Sequence, residues 1–358
     1  MFADCEITIS QQISDPAWDT FVADTPGGHH AQTSEWARIK STLGWKASRI
    51  IVSRGNKILG GAQVLIKTAP FGVKLGYLTK GPLIIEENSD LAKLVLQQVM
   101  QISKKNHCQL MAIQPPNNGH YLTGLLKDFH FRESNLELAP TATLVIDLRL
   151  GAEGLLKHMK QKTRQHIHQS IREGVEVCEG CCSDLDSFYS LYLSTAKRQG
   201  FIPYKRVYFD VLWNSFGPKN WISLMIACYA GEPISGMLLI PFGDTIICKM
   251  IGWSGKHPAL RPNEALYWES ILWGINRGFQ FFDFEGVDPH GIQAILNGDP
   301  CGNKQDVFKY GFGGKPVLYP PAFDFLPNNF FSWAYHLIRP EMDGNSILSK
   351  TVEWIRKR

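Results

Sequence analysis

The sequence predicts an α+β protein made of two tandem domains that share one plan. The chain has 358 residues, and a domain commonly holds roughly 100–200 residues, so two domains are expected. Segment Ile50–Ile66 is matched by Met225–Phe242. In both, an apolar strand enters a glycine turn (Gly55 or Gly231) and leaves along a second strand that carries a glycine. Such a recurring pattern indicates a duplicated structural unit.

The elements of the first half can be placed in order around its repeated strand pair. Helices are predicted at Asp15–Val22 and Thr33–Leu43, before the strands. After the strands, apolar residues in Asp90–Asn106 recur every three or four positions, which predicts a helix with one buried face. That face consists of Leu91, Leu94, Val95, Val99 and Ile102. A short strand, Gln109–Gln114, is expected to follow.

The second half repeats this order. Helices are predicted at Glu153–Glu173 and Asp184–Gln199, again before the strand pair. A later helix, Asn263–Gly278, is expected between an Asn N-cap and a Gly C-cap. The strand Gln280–Glu285 comes after it.

We therefore expect domains at residues 1–150 and 151–318. The remaining residues, 319–358, are expected to form a tail that packs back on the first domain. Two short helices are predicted in this tail, near Asn328–Ile338 and Asn345–Lys357.

Each half thus predicts helices, three antiparallel strands, a helix and a further strand, which resembles the GNAT acetyltransferase fold. Several motifs are similar to those of the Fem-type (FemABX) peptidyltransferases, which duplicate this fold. They run in order along nearly the whole chain: Gln32–Lys40, Lys80-Gly81-Pro82, Lys162-Thr163-Arg164 with Gly174–Val177, Arg261-Pro262-Asn263, Asp283–Gly286 and Phe308–Gly314 (FKYGFGG). The last is the most specific.

Two departures from the family pattern qualify this resemblance. The chain lacks a charged heptad run long enough for the coiled-coil arm of FemA and FemB, so it resembles the minimal FemX form. Where the family usually has a Gly pair after the strand end, Glu285 replaces the first Gly.

The resemblance implies an aminoacyltransferase. Such proteins move an amino acid from aminoacyl-tRNA to the stem-peptide amine of a peptidoglycan precursor, either UDP-MurNAc-pentapeptide or lipid II. Aminolysis of an ester is downhill, so no ATP site and no cofactor is expected. The sequence contains neither GxxxxGK[ST] nor the [QR]-x-x-G-x-[GA] loop with which GNAT enzymes hold the coenzyme pyrophosphate.

Two alternatives remain open at this point. One is a GNAT-type N-acyltransferase that uses acyl-CoA on an envelope sugar or small-molecule amine. The other is a non-catalytic RNA-binding module that kept the duplicated fold. The survival of Lys40 together with the FKYGFGG motif argues against a pure binder, because binding alone needs no acyl-site lysine.

The resemblance places the catalytic centre in the second half. Lys309 is expected to bring its ammonium to the developing oxyanion, with Phe308 beside it. A donor at that point stabilises the transition state by roughly 3–4 kcal/mol. Glu285 is the candidate general base, which would have to reach the attacking amine, although the family implies that the RNA itself helps to move the proton.

The precursor carries a diphosphate, which calls for two or more cations. Lys40 matches the family position that contacts it. A second cation is expected from Tyr204-Lys205-Arg206, where the register leaves Lys205 and Arg206 both open. The other substrate-binding candidates are Trp36, Tyr204, Tyr208, Asn263 and Asp283; packing is an alternative role for Tyr208, and a structural role for Asp283.

The stretch Leu155–Arg172 is the strongest basic feature of the chain and contains no acidic residue. Its apolar positions form one helical stripe, so its cations are predicted on the opposite face. That face suits the phosphates of a tRNA acceptor stem or of the diphosphate. Lys160, Lys162 and Arg164 are its candidate phosphate-binding residues.

Composition and the N-terminal segment exclude several other classes. The net charge of +4 is too small for a histone-like binder. The first residues lack a signal-peptide pattern, and no apolar run approaches the ~20 residues that span a bilayer. We therefore expect a cytoplasmic monomer with reduced thiols. Cys178, Cys181 and Cys182 lack a second ligand pair, so no metal is expected.

The amphipathic segment Ser346–Arg358, with its basic end, also suits a peripheral membrane contact. Docking of this segment on the first domain is the alternative.

Overall fold

A computed structural model describes residues 4–69, 72–134, 138–297 and 304–327. The chain divides into two compact units. Unit 1 contains Met1–Thr141 together with the segment that starts at Tyr319, and unit 2 is Ala142–Leu318. Each unit has its own mixed sheet and its own helices, which confirms the predicted α+β class with a duplicated plan.

The described residues of unit 1 form four α-helices around one sheet. The helices are α1 (Pro16–Asp24), α2 (Ser34–Ser41), α3 (Ser89–Lys105) and α4 (Leu122–Asp128). The strands are β1 (Glu6–Ser10), β2 (Lys46–Arg54), β3 (Lys57–Thr68), β4 (Lys74–Thr79), β5 (Leu83–Ile84), β6 (Leu110–Gln114), β7 (Arg132–Glu133) and, from the C-terminal segment, β15 (Phe323–Phe325). The sheet order is β1-β2-β3-β4-β6-β15-β7, with β5 also paired to β3.

Unit 2 repeats this arrangement with more helix. Its helices are α5 (Gly151–His158), α6 (Gln161–Arg172), α7 (Leu185–Gln199), α8 (Arg206–Phe216), α9 (Pro262–Asn276), α10 (Pro289–Leu296) and α11 (Lys304–Tyr310). Its strands are β8 (Ala142–Asp147), β9 (Val175–Gly180), β10 (Ser223–Tyr229), β11 (Glu232–Phe242), β12 (Thr245–Trp253), β13 (Phe281–Asp283) and β14 (Lys315–Leu318). The order is β14-β8-β13-β12-β11-β10-β9.

The sequence repeat corresponds to the hairpins β2–β3 and β10–β11. Gly55 and Gly231 lie in the turns with φ of +56° and +79°, a region that glycine enters without steric cost. Gly60 pairs with Val52 and Gly236 pairs with Ile226, so each strand glycine lies inside the second strand of its hairpin. The duplication predicted from these segments is confirmed.

Helix α3 forms for the reasons that its pattern indicates. The Asn88 side chain accepts hydrogen bonds from the backbone N–H of Asp90 and Leu91, which satisfies two of the free donors at the helix start. The predicted apolar stripe faces the core of unit 1, where Leu91, Val95 and Val99 are almost fully buried.

Several predicted boundaries are wrong. Segment Glu153–Glu173 is not one helix, because Met159 and Lys160 adopt extended backbone angles between α5 and α6. Asn263 is not the N-cap of α9; Arg261 holds that place, with Pro262 at the first helical position.

The units also divide between Thr141 and Ala142 rather than after residue 150, since β8 pairs with β13 and β14 of the second sheet.

The C-terminal segment returns to unit 1, where β15 pairs with β6 and β7. The two helices predicted near Asn328–Ile338 and Asn345–Lys357 lie outside the described residues. Among the residues that are described, no helix combines the length and the apolar composition that crossing a bilayer requires.

Candidate functional site

Strands β12 and β13 of unit 2 separate and leave a cavity between them. The two strands run parallel and pair only through Thr245–Ile247 and Phe281–Asp283, whereas β12 continues to Trp253. A cavity of about 340 Å³ lies beyond the last paired residues. Its walls come from β12, α9, the turn after β13, α11 and the end of α7.

Lys309 lies in this cavity wall and closes the turn after β13. Its Nζ donates to the main-chain carbonyl oxygens of Phe284, Glu285 and Gly286, at 3.2, 3.2 and 2.6 Å. An ammonium has three N–H bonds, so this set of acceptors can engage all of them. The predicted catalytic lysine is therefore at the cavity, with its charge held against the turn.

Glu285 follows β13 in an unusual backbone conformation. Its φ is +39° and that of the next residue, Gly286, is +75°. A glutamate therefore occupies a backbone conformation that glycine adopts without steric cost. The Glu285 N–H donates to Oδ1 of Asp283 at 2.8 Å, which helps to hold the turn. Its carboxylate lines the cavity.

A lysine that sequence reasoning missed balances this carboxylate. Nζ of Lys249, from β12, lies 2.8 and 3.1 Å from the two oxygens of Glu285. Burial alone would lower the pKa of Lys249, but the Glu285 carboxylate outweighs it and holds the pKa above its usual 10.5. The only sequence signal for Lys249 is a single charge inside the apolar strand TIICKMIGW.

Asp283, a substrate-binding candidate with a structural role as its alternative, is not among the residues that line the cavity. It is buried, and Oδ1 accepts a hydrogen bond from Oγ1 of Thr143 on β8 in addition to the N–H of Glu285. Asp283 therefore connects β8 and β13 to the turn after β13, which is a structural role rather than contact with a substrate.

Aromatic side chains form the apolar wall of the cavity. Phe308, Phe312 and Phe284 surround Tyr267 with ring centroids between 5.1 and 5.5 Å. Burial raises the pKa of Tyr267 well above 10.0, and the neighbouring Cys248 raises it further. The predicted residue Phe308 thus belongs to a packed cluster that also faces the cavity.

Tyr204 and Tyr208 stack on each other near the ion pair, with ring centroids 4.3 Å apart. Burial raises the pKa of Tyr204, while the charge of Lys249 acts in the opposite direction. Burial also raises the pKa of Tyr208, to which Tyr204 and Glu285 add. The structure therefore brings both predicted tyrosines close to Glu285.

The two cations next to Tyr204 differ in their surroundings. Arg206 forms ion pairs with Asp186 and Asp210, so its charge is balanced within unit 2. Lys205 is exposed at the start of α8. This difference favours Lys205 for binding an anion.

Asn263 lines the cavity from the first turn of α9. Its Oδ1 accepts a hydrogen bond from Oγ of Ser235 at 2.6 Å, which leaves the amide N–H₂ as the group able to donate to a ligand.

The three candidate phosphate-binding residues lie around the break between α5 and α6. Arg164 donates through Nη1 to the carbonyl oxygens of Leu156 and Met159, so it stabilises the end of α5. Lys160 is exposed, with Nζ 4.4 Å from the Tyr310 ring centroid. Lys162 is also exposed. The two lysines, rather than Arg164, present charge to solvent.

In unit 1, the predicted residues Trp36 and Lys40 lie on α2. Nζ of Lys40 is 5.0 Å from the Trp36 ring centroid, within range of a cation–π contact. Trp36 is buried and Lys40 is half-buried.

Two family models match the chain in series. One, described as the FemAB family, matches residues 13–138. The other, described as an acetyltransferase (GNAT) domain, matches residues 157–291.

Curated relatives share part of the chain. The lipid II:glycine glycyltransferase of Staphylococcus saprophyticus is 24% identical over 233 residues, which is 62% of this chain and 56% of the relative. The protein of that name from Staphylococcus aureus (strain MRSA252) is 25% identical over 214 residues, 57% of this chain and 51% of the relative. The chain thus spans about half the length of these relatives.

Solved structures are similar over nearly the whole chain. A crystal structure of FemX superposes with a TM-score of 0.79 at 19% identity and covers 93% of this chain and 99% of that chain. A tandem GNAT protein from the clavulanic acid biosynthesis pathway has a TM-score of 0.55 at 9% identity, with coverages of 90% and 99%. These likenesses show the duplicated GNAT fold.

Proposed function

From the premise that this chain is a member of the Fem-type family with two tandem GNAT domains, we propose that it is an aminoacyltransferase. It moves an amino acid from aminoacyl-tRNA to the stem-peptide amine of a peptidoglycan precursor, UDP-MurNAc-pentapeptide or lipid II. The names of the staphylococcal relatives support a peptidoglycan precursor as acceptor.

The observation that carries this proposal is the cavity between β12 and β13 with the ammonium of Lys309 at its wall. The sequence has no GNAT pyrophosphate loop to supply backbone N–H groups to coenzyme A. This favours a donor of another kind, and an RNA-borne ester fits a chain with exposed lysines on a neighbouring helix.

In the proposed reaction, the stem-peptide amine attacks the ester carbonyl carbon. The new C–N bond forms, the C–O bond to the ribose breaks, and the proton of the amine ends on the ribose oxygen. Lys309 stabilises the oxyanion that forms in between. To reach the oxyanion, Nζ gives up one of its two 3.2 Å hydrogen bonds, to the carbonyl oxygen of Phe284 or of Glu285, and donates to the oxyanion instead. It keeps the 2.6 Å hydrogen bond to the carbonyl oxygen of Gly286.

Glu285 is less suited to act as the general base than the sequence suggested, because both carboxylate oxygens already accept hydrogen bonds from Lys249. We assign it instead to positioning the turn that holds Lys309. Lys160 and Lys162 are proposed to contact RNA phosphates. Lys205, which is exposed at the start of α8, is proposed to contact the diphosphate of the acceptor.

The test is transfer of a radiolabelled amino acid from charged tRNA to UDP-MurNAc-pentapeptide or lipid II. The variant Lys309→Met is expected to lower the rate by about 10²–10³-fold, the effect of removing one oxyanion donor. Lys315→Met is the matched control, since Lys315 is exposed on β14 and outside the cavity. Saturable use of acyl-CoA, with no transfer from charged tRNA, would overturn the proposal.

A further inference from the structure

The connection between α7 and α8 carries exposed apolar side chains. Ile202 is 61% exposed, Val207 60% and Phe201 38%. Leu193, on α7, is exposed as well. Neighbouring apolar groups that stay in water mark a surface that contacts something apolar.

Hydrogen bonds hold the backbone of this connection at both ends. Gly200 ends α7 with φ +75°, and its N–H and that of Phe201 both donate to the carbonyl oxygen of Ala196. At the other end, the Tyr204 N–H donates to the Tyr192 hydroxyl at 3.4 Å. The Phe201 ring also lies 5.6 Å from that of Tyr192.

The same segment is cationic. Residues 197–209 contain two lysines and two arginines and no acidic residue. Lys197, Arg198 and Lys205 are exposed, whereas Arg206 is balanced by Asp186 and Asp210. Exposed apolar groups flanked by exposed lysines are the combination that binds an anionic membrane interface, where the apolar groups enter and the cations meet lipid phosphates.

We propose that this tip, residues 200–207, docks unit 2 on the surface of an anionic phospholipid bilayer. This proposal rests on the proposed function, because docking would bring the cavity to an acceptor that is attached to a lipid. The tip is directly joined to the cavity region, because Arg198 and Gln199, the residues that precede Gly200, line the cavity. A protein partner is less well matched, since exposed cations lie beside the apolar groups of the tip.

The experiment is co-sedimentation of the full chain with phosphatidylcholine vesicles that contain or lack phosphatidylglycerol. The wild type is expected to bind the anionic vesicles, and less so as salt rises. Ile202→Ser is expected to weaken binding about tenfold through lost apolar burial, and Lys197→Gln about fivefold through lost attraction. Leu150→Ser, at a side chain that is 47% exposed elsewhere in unit 2, is the matched control and leaves binding unchanged.

The proposal fails if the wild type ignores anionic vesicles, or if Leu150→Ser weakens binding as much as Ile202→Ser. It also fails if Ile202→Ser changes the oligomeric state and not vesicle binding, because the tip would then contact a second copy of the chain. Loss of binding to a protein partner, with vesicle binding unchanged, would contradict it as well. Transfer to soluble UDP-MurNAc-pentapeptide, which Ile202→Ser should retain, separates the two proposals. If the wild type binds the vesicles but transfers no amino acid, only the proposed function is contradicted.

Discussion

Glu285 occupies a backbone position where a side chain is strained, and its contacts explain how it stays there. A non-glycine residue in the left-handed region costs about 1–2 kcal/mol. The Lys249 ammonium and the Asp283 carboxylate both hold the residue in place, one through its side chain and one through its N–H. Lys309 binds its carbonyl oxygen. The sequence could identify Glu285 as unusual, but not these partners, which come from distant elements.

A double-mutant cycle tests this arrangement. Lys249→Met is expected to destabilise the protein by about 3 kcal/mol, because it leaves a largely buried carboxylate uncompensated. Glu285→Gly is expected to cost less, about 2 kcal/mol, since it also relieves the backbone strain. The double variant should lose less stability than the sum of the losses of the two single variants. Urea unfolding followed by circular dichroism measures all three, and simple additivity would contradict a direct interaction.

Stability should fall at alkaline pH because several groups of unit 2 ionise late in the folded state. Burial raises the pKa of Tyr192 from 10.0 to about 12, and that of Tyr267 also lies well above 10.0. Below pH 10 folded and unfolded chains both keep these protons. Above it, the unfolded chain releases them first, so the free energy of unfolding decreases.

Unfolding curves at pH 9 and pH 11 measure this decrease, and absorbance of tyrosinate reports the ionisation itself. Lys249 adds to the same trend, since its pKa also lies above 10.5 in the folded chain. A free energy of unfolding that does not change across this window would show that these side chains are not buried as described.

At the scale of elements, the break between α5 and α6 shows what periodicity could not predict. The apolar stripe of Leu155–Arg172 continues through Met159 and Lys160, so the pattern alone indicates one helix. The break depends on contacts made in three dimensions: Arg164 binds two carbonyl oxygens at the end of α5, and the Lys160 N–H donates to the Gly311 oxygen. The hairpins, by contrast, carry local glycine signals and were predictable.

Arg164 and Lys162 should therefore respond differently to substitution. Arg164→Met is expected to destabilise the protein by about 1–2 kcal/mol, because two partly buried carbonyl acceptors lose a charged donor. Lys162→Met is expected to leave stability unchanged and to weaken tRNA binding, with a salt dependence reduced by about one unit of slope. Thermal unfolding and binding at several salt concentrations distinguish the two. If Arg164→Met reduced only the salt dependence of tRNA binding and left stability unchanged, Arg164 would be a phosphate contact and not a structural residue.

At the scale of the whole molecule, the duplicated plan and the order of segments could be predicted, because each repeat carries its own local pattern. The return of the C-terminal segment to unit 1 was also expected, but the strand that it adds to the sheet of unit 1 was not. Its β15 contributes only Phe323–Phe325, a pattern too short to assign from sequence, and its position depends on pairing with β6 and β7. The buried side chain of Phe323 belongs to the core of unit 1.

Two truncations test the importance of this strand. A chain that ends at Pro327 keeps β15, and one that ends at Leu318 loses it. We expect the shorter chain to lose several kcal/mol of stability in unit 1, because an aromatic core side chain and a strand pairing are removed together. Hydrogen exchange of β6 amides measures the difference between the two chains. Equal protection in both would show that β15 contributes nothing to the sheet.

Because β15 is translated after all of unit 2, a ribosome must make more than three hundred residues before the first sheet can be completed. During that interval the nascent chain displays β6 as an unpaired apolar edge, the kind of surface that seeds misassembly. The length of this interval is set by the time needed to synthesise unit 2, so synonymous codon changes that slow elongation between β8 and β15 should lower the yield of native protein.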